Sequence, residues 1–308
     1  MKIKISKLGQ IYDPSLKSSH PKLATHASNP VPVLISGDTY RIFFNARDSA
    51  NRSSVGAIDF NLADLEVLTV YDKPFITYGG KETFFSEGIS LGNFFKFKNK
   101  KFLSFMGWKT YDDKSWKGEI GILTLKNDFS VDKIYDEPII KIDKKFDPIS
   151  MSYPWMMEVS PEHLFAWYGS TIGYDKKNHE MIHKIHGAYS ENVMTWKKLG
   201  KVTIDSHELY QMYSRPCVVM DESGKYELWF SAKSGPMNSY RIEYAKSSDA
   251  KNWKLSNTPI DLTVSEKGWD SEMIEYPYVF WHKEKKYLLY NGNDYGKTGF
   301  GIAEIIHE

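Results

Sequence analysis

The sequence predicts an all-β protein, a five-bladed β-propeller with four antiparallel strands per blade and a ring closed by the N-terminal strand. Three observations carry this. Apolar runs rich in β-branched and aromatic residues are short, roughly five to seven residues, and none keeps a 3.6-residue period. One order of segments (polar residues, apolar strand, hairpin, aromatic strand, variable loop, small-residue strand, turn) recurs five times at intervals of about sixty residues. The last repeat runs out after Ile305, while Lys2–Leu8 alternates apolar and polar residues and can supply the missing strand. Radial closure protects sheet edges. Two separate β-sandwiches are the alternative.

In chain order, the first strands begin near Pro30, Ile89, Pro154, Pro216 and Pro277. The second strands are Tyr40–Asn45, Lys101–Met106, His163–Tyr168, Tyr226–Ser231 and Tyr287–Asn291. The third are Val55–Phe60, Ile120–Leu125, Ile185–Tyr189, Ile242–Lys246 and Gly301–Ile305. Because neighbouring strands run antiparallel, first-strand starts and second-to-third loops emerge on one face. The opposite face receives Ser190–Trp196 and Ser248–Trp253, which read as Asp-box-like turns, making Asp249 a turn residue. His183 and His186 fall on opposite faces of a strand and make a poor metal pair.

The bulk numbers exclude several classes. A net charge of +1 gives no basic field for nucleic acid. No apolar run reaches the ~20 residues of a membrane helix, and Met1–Lys7 reads as a strand, not a signal peptide. A single 308-residue domain, soluble and cytoplasmic, is expected. The lone Cys217 sits in a Val-rich strand and reads as a small buried hydrophobe.

The predicted functional face gathers polar and aromatic residues. Strand starts bring His26, Ser28 and Asn29; Ser86 and Glu87; Ser152 and Tyr153; Ser214 and Arg215; and Asp270, Glu272 and Glu275. Loops on that face add Asn45, Arg47, Asp48, Arg52, Trp108, Tyr111, Trp116, Asn291, Asn293 and Tyr295. Carboxylates, guanidiniums and amides bind hydroxyls, and rings stack on sugar faces, so a carbohydrate is the expected ligand. Arginine occurs only at Arg41, Arg47, Arg52, Arg215 and Arg241. Arg47, Arg52 and Arg215 fall on the predicted channel, where a rigid fork can orient a carboxylate or phosphate. Arg215 could instead bridge Glu275 or Glu87, and Arg41 reads as structural. Glu87 or Glu275 could be an acid of raised pKa. Glu87 reads equally as a sugar ligand, and Asp48 as a solvated carboxylate. One of Asp270 and Glu272 caps a turn while the other faces the pocket.

The pattern resembles the five-bladed propeller glycosidase superfamily that includes glycoside hydrolase families 32, 43, 68 and 130. The matching stretches are Ser214-Arg215-Pro216-Cys217-Val218, Tyr240–Asp249, Gly268–Ile274 and Tyr290–Gly301. They look most like a subgroup associated with bacterial surface-polysaccharide gene clusters. The resemblance implies a sugar-processing funnel on the propeller axis. Families 32 and 43 place a catalytic Asp where this chain has Asn29, and a Glu acid in a blade where Ser152-Tyr153-Pro154 offers none; Glu158 lies far along the strand. Family 130 phosphorylases need one acid and a basic phosphate site, which Arg47, Arg52, Arg215 and His26 suit in composition.

The expected activity is therefore that of a glycan-active enzyme: a glycoside hydrolase, or a related phosphorylase or glycosyltransferase, with no cofactor. Glu87 is the expected proton donor, with Asp48 or Glu272 as partner. Arg47 and Arg215 would clamp an anionic part of the substrate, and Trp108 and Tyr295 would bound the sugar. A non-catalytic carbohydrate-binding propeller is the alternative. A protein-interaction propeller would instead need an apolar funnel mouth.

Overall fold

A computed structural model of the chain describes residues 3–16, 20–111, 116–175, 180–205, 212–233, 239–256 and 260–307. Its strands, in order, start with β1 (Ile3–Tyr12). The first meander is β2 (Thr25–Ser36), β3 (Thr39–Arg47), β4 (Ser53–Asn61) and β5 (Glu66–Val70); the second is β6 (Gly88–Phe97), β7 (Lys100–Thr110), β8 (Trp116–Leu125) and β9 (Val131–Ile134). The third is β10 (Ser150–Ser160), β11 (His163–Asp175), β12 (Glu180–Ser190) and β13 (Lys197–Lys201). After β14 (Thr203–Asp205) the fourth is β15 (Met212–Met220), β16 (Tyr226–Lys233), β17 (Arg241–Ser247) and β18 (Asn252–Leu255). After β19 (Ile260–Asp261) the fifth is β20 (Glu275–His282), β21 (Lys285–Asn291) and β22 (Phe300–His307). Every second and third strand expected from the sequence lies inside one of these elements.

β1 pairs antiparallel with β22, with Ile5 opposite Ile305, so the N-terminal strand does complete the last meander; Lys2 lies outside the described residues. Two details depart from five separate four-stranded units. A single parallel bridge, Ser53 to Gly88, joins the first two meanders into one ladder. Short β14 and β19 add a parallel fifth strand beside β18 and β1.

The alternation read from the sequence becomes a core of buried Val, Ile, Phe and Trp between neighbouring meanders. Trp155 packs on Tyr278 with ring centroids 4.8 Å apart. Trp167 Nε1 donates to Ala250 O at 3.0 Å, and the Val279 amide donates to Cys217 Sγ at 3.1 Å, so the lone cysteine is a buried packing group. A polar clasp ties the first meander to the fifth on the far face: Asp38 Oδ1 meets His282 Nε2 at 2.6 Å and Lys283 Nζ at 2.7 Å, while Tyr40 OH lies 2.9 Å from His282 Nδ1. Asp249 Oδ1 accepts the amides of Lys251 (2.9 Å) and Asn252 (2.8 Å), and Asn192 Oδ1 those of Met194 (3.0 Å) and Thr195 (2.8 Å). These capping bonds hold the Asp249 carboxylate well below its usual pKa. Arg41 grips Asp59 through Nε (2.9 Å) and Nη2 (3.0 Å), a structural fork.

Candidate functional site at the strand starts

One backbone step is repeated in all five first strands. An extra residue interrupts the ladder after Ser28, Leu91, Ser152, Ser214 and Glu275, each time between that residue and the third one on. The next residue is Asn29, Gly92, Tyr153, Arg215 or Tyr276, and then comes Pro30, Asn93, Pro154, Pro216 or Pro277. Asn29 (φ 52°), Tyr153 (φ 43°), Arg215 (φ 53°) and Tyr276 (φ 53°) are left-handed. That conformation costs an L-residue about 1–2 kcal/mol. The following proline narrows the alternatives by disfavouring the right-handed helical region, and the bulge re-aims the side chain.

Hydrogen bonds from the ends of second strands fix this step to the next meander. Asn45 Oδ1 accepts the Leu91 amide at 2.8 Å and its Nδ2 donates to Ile89 O. Ser231 Oγ accepts the Tyr276 amide at 2.8 Å. Asn291 Oδ1 accepts the Asn29 amide at 2.8 Å, and its Nδ2 donates to Ala27 O (2.7 Å) and Gly299 O (2.9 Å). Gly92 has a packing reason to lack a side chain: a Cβ there would lie 2.1 Å from Pro154 O.

A cavity of about 260 Å³ opens at these strand starts. It is lined by the polar residues Ser28, Asn29, Asn45, Arg47, Asn51, Ser53 and Ser90, by Met106, and by the aromatic residues Trp108, Trp116, Tyr153 and Tyr276. Arg47 Nη1 donates to Asn51 Oδ1 at 2.9 Å, and Trp108 Nε1 donates to Ser53 Oγ at 3.2 Å. The hydroxyls of Tyr153 and Tyr276 are 3.2 Å apart and their rings 5.1 Å. Asn29 Oδ1 is buried with no partner among the described residues. The lining offers both hydrogen-bonding groups and aromatic rings.

Glu275 stands out electrostatically. It is fully buried, and neither carboxylate oxygen has a hydrogen-bond partner among the described residues. Burial pushes its pKa well above the ordinary 4.5, with Arg47 and Lys233 pulling back less strongly. Its charge raises the pKa of both Tyr153 and Tyr276, after burial, and Tyr276, the next residue in the chain, lines the cavity, whereas Glu275 itself does not. His26, left-handed at φ 63°, is driven down to about 4 by burial and by Arg47 and Lys297, so it is neutral near pH 7. Its Nδ1 lies 2.9 Å from Thr25 Oγ1.

The other expected site residues are placed differently. Glu87 does not line the cavity: its Oε2 accepts the Thr110 amide (2.6 Å) and hydroxyl (2.7 Å). The reason is register. The second meander lacks the proline that marks the step elsewhere, and its true equivalent of Ser28 is Leu91, four residues beyond Glu87. Asp48 also lies outside the lining; it caps a turn, accepting the amides of Ala50 (2.9 Å) and Arg52 (2.8 Å), and pairs with Arg52 Nη2 at 2.8 Å. Arg52 thereby faces Asp48 and the Tyr78 ring, 4.2 Å away, and not the cavity. Glu272 is exposed, and its amide donates to Asn293 Oδ1 at 2.8 Å. Asp270 binds Lys7 Nζ at 2.7 Å and accepts from Tyr290 OH at 3.1 Å, a link to the closing strand β1. Asn291 and Asn293 hold main chain, and Tyr295 is an exposed left-handed residue (φ 59°) 6.4 Å from the Tyr240 ring. Arg215 bridges neither Glu87 nor Glu275; its Nη1 donates to Leu91 O (2.6 Å) and Gly92 O (2.7 Å). The structure thus brings together Ser28, Asn29, Asn45, Arg47, Trp108, Trp116 and Tyr153 at the cavity. It adds Tyr276, Met106, Asn51, Ser53 and Ser90, which the sequence reading passed over. The recurring X-Pro pairs Asn29-Pro30, Tyr153-Pro154, Arg215-Pro216 and Tyr276-Pro277 were the available signal for Tyr276. Among the described residues, no three His, Cys, Asp or Glu side chains gather as a metal-holding group.

No family model matches the chain. It is 36% identical over 301 residues to the uncharacterized protein MT1551 of Mycobacterium tuberculosis (strain CDC 1551 / Oshkosh), covering 97% of this chain and 98% of that one. It is 35% identical over 301 residues to the uncharacterized protein Rv1502 of M. tuberculosis (strain ATCC 25618 / H37Rv), with the same coverage. Among solved structures, a glycoside hydrolase superposes with a TM-score of 0.71 at 14% identity, covering 97% of this chain and 90% of that one. A thermostable family-43 glycoside hydrolase gives 0.65 at 15% identity (91% and 88% covered). The Bombyx mori GH32 β-fructofuranosidase BmSUC1 gives 0.61 at 12% identity (92% and 62% covered). At these identities the likeness is one of fold. The chain belongs to one family with the two mycobacterial proteins, and its nearly all-β fold is that of the propeller-type glycoside hydrolases.

Proposed function

We propose that the five meanders are the blades of one propeller domain, closed by β1, and that the protein is a glycan-active enzyme with Glu275 as its proton donor. The reaction is glycoside hydrolysis or a related glycosyl transfer, on a bacterial polysaccharide or its glycoside precursor. One observation carries the reading: Glu275 is fully buried, desolvation raises its pKa well above the ordinary carboxylate value, and the next residue, Tyr276, lines a cavity of polar and aromatic side chains. A carboxyl of raised pKa can give its proton to a leaving glycosidic oxygen near neutral pH. The Trp108 and Trp116 rings would meet the apolar face of a sugar, while Asn29, Asn51 and Arg47 would meet its hydroxyls or an anionic substituent. In this reading Glu275 replaces Glu87, whose carboxylate is engaged by Thr110.

A second reading is favoured by a specific observation. The positions equivalent to Glu275 in the other four meanders are Ser28, Leu91, Ser152 and Ser214, none of them acidic. Two-carboxylate hydrolysis needs a second acid roughly 5–10 Å away. A non-catalytic carbohydrate-binding propeller needs none.

The test pairs calorimetry with a product assay over a panel of oligosaccharides and chromogenic glycosides, using wild type, Glu275→Gln and Glu87→Gln. Turnover is expected to fall by about 10²–10⁴-fold in Glu275→Gln and to stay within about threefold in Glu87→Gln. Undiminished turnover in Glu275→Gln would sink the acid assignment. Heat of binding without product in wild type would select the second reading.

A further inference from the structure

The hairpins of second and third strands differ in reach from one meander to the next. In the first, fourth and fifth, the second strand ends opposite the first residue of the first strand: Arg47 opposite Thr25, Lys233 opposite Met212 and Asn291 opposite Glu275. In the third, β10 begins at Ser150 opposite Thr171, yet β11 and β12 go on pairing, with Gly173 opposite Ile182, Tyr174 opposite Met181 and Asp175 opposite Glu180. Among the described residues this hairpin runs past its sheet by about 10 Å as a two-stranded ribbon. The second meander overruns less: Lys109 stands opposite Lys117 and Thr110 opposite Trp116, beyond the Gly88 start of β6. Asn93 Nδ2 donates to Met156 O at 2.9 Å and stitches β6 to β10, so the two overruns are neighbours.

The overruns carry exposed rings. Among the described residues the exposed aromatic side chains are Tyr111, Trp116, Tyr174 and Tyr295, and each stands at a second-to-third connection. The exposed Leu34, Leu65, Met194 and Met220 lie toward the opposite ends of the strands, and Leu68 and Leu199 on the outermost strands β5 and β13. Tyr111 carries Lys117 (4.7 Å) and Lys109 (5.3 Å) over its ring, which leaves Trp116 and Tyr174 as the stacking faces of the two overruns. Trp116 also lines the cavity. Single rings set among Lys109, Thr110, Lys117 and Asp175 suit a sugar chain, whose rings present apolar faces between hydroxyls. A protein partner would call for contiguous apolar area.

The cavity, at about 260 Å³, is smaller than the roughly 300–1,000 Å³ that encloses a drug-sized ligand. It has room for little more than a single sugar unit. We propose that the ligand of this face is a polymeric glycan: one unit sits in the cavity, and the units beyond it run outward over Trp116 and Tyr174 on the overruns of the second and third meanders. This rests on reading the cavity as a sugar site, catalytic or not, and selects a polysaccharide over a short glycoside precursor.

The experiment screens the full chain against an array of bacterial polysaccharides, then measures Kd by calorimetry on size-fractionated partial acid hydrolysates of the one that binds. Affinity is expected to rise about tenfold or more from the single unit to the hexamer. Tyr174→Ala and Trp116→Ala should each weaken hexamer binding about fivefold or more. Leu68→Ala, which like Tyr174 removes a side chain that is 49% exposed, should match wild type at every length. Equal affinity for the single unit and the hexamer, or a Tyr174→Ala response no different from that of Leu68→Ala, overturns the proposal and leaves the sugar-site reading standing. Binding to no glycan on the array overturns both.

Discussion

The first and fifth meanders share a backbone and differ in chemistry. Ser28-Asn29-Pro30 and Glu275-Tyr276-Pro277 bulge at the same ladder position, opposite Asn45 and Asn291. Both asparagines stitch their meander to the next. Yet Ser28 Oγ rests on Asn45 O at 3.5 Å, a neutral contact, while Glu275 buries a carboxyl with no hydrogen-bond partner among the described residues. The comparison teaches that the fold repeats the means of presenting a side chain and leaves its identity free. Chemistry can then be concentrated at one repeat without disturbing the others.

The comparison breaks first, and hardest, at the step itself. Gly92→Ala drives a Cβ onto a main-chain oxygen and should cost about 3 kcal/mol or more; a denaturation midpoint within error of wild type would show that the second meander does not share the rigid step. Next come the stitches. Asn291→Ala strands the buried Asn29 amide and the Ala27 carbonyl, while Gly299 O keeps the Gly292 amide at 3.3 Å, an expected loss of about 2–4 kcal/mol, and Asn45→Ala should lose somewhat less because Ile89 O keeps Ser53 Oγ at 2.8 Å and only the Leu91 amide is stranded. Reversal of that order in urea unfolding would mean that the seam between the first and last meanders is not held there.

A smaller effect separates Glu275 from its serine counterpart. Its folded pKa is raised, so the folded state holds a proton that the unfolded chain releases above about 4.5. Stability is therefore fully retained below that pH and falls as pH rises toward the folded pKa, by at most about 1.4 kcal/mol per pH unit. Glu275→Gln removes this slope, and its unfolding free energy relative to wild type should climb with pH, whereas Ser28→Ala should track wild type in parallel. The smallest effect is spectroscopic: His26 should titrate near 4 by NMR, and a midpoint near 6.5 would show that the ring is neither buried nor close to Arg47 and Lys297.

Much of this was legible beforehand. Alternation and segment order located every second and third strand and the closing role of the N-terminal run, because those signals are local: a period of two, a turn, a β-branched run. Asn29, Arg47, Trp108 and Tyr153 were placed at the pocket because they sit at strand ends whose face follows from antiparallel order. Glu87 does sit at a strand start, just before β6, but in the second meander the ladder register puts the step at Leu91-Gly92, three residues into the strand, which no local pattern shows.

The sequence by itself determined the elements, their order and their alternating faces, since each depends on residues a few positions apart. Tertiary structure alone decided which polar residues became struts and which stayed unsatisfied. Asp48, Asp270, Asn291 and Asn293 found partners and became architecture, and among the described residues Glu275 and the outer edge of Arg215 did not. The physical reason is that desolvation and pairing are set by groups from distant meanders, and no local pattern encodes whether such a group will be there.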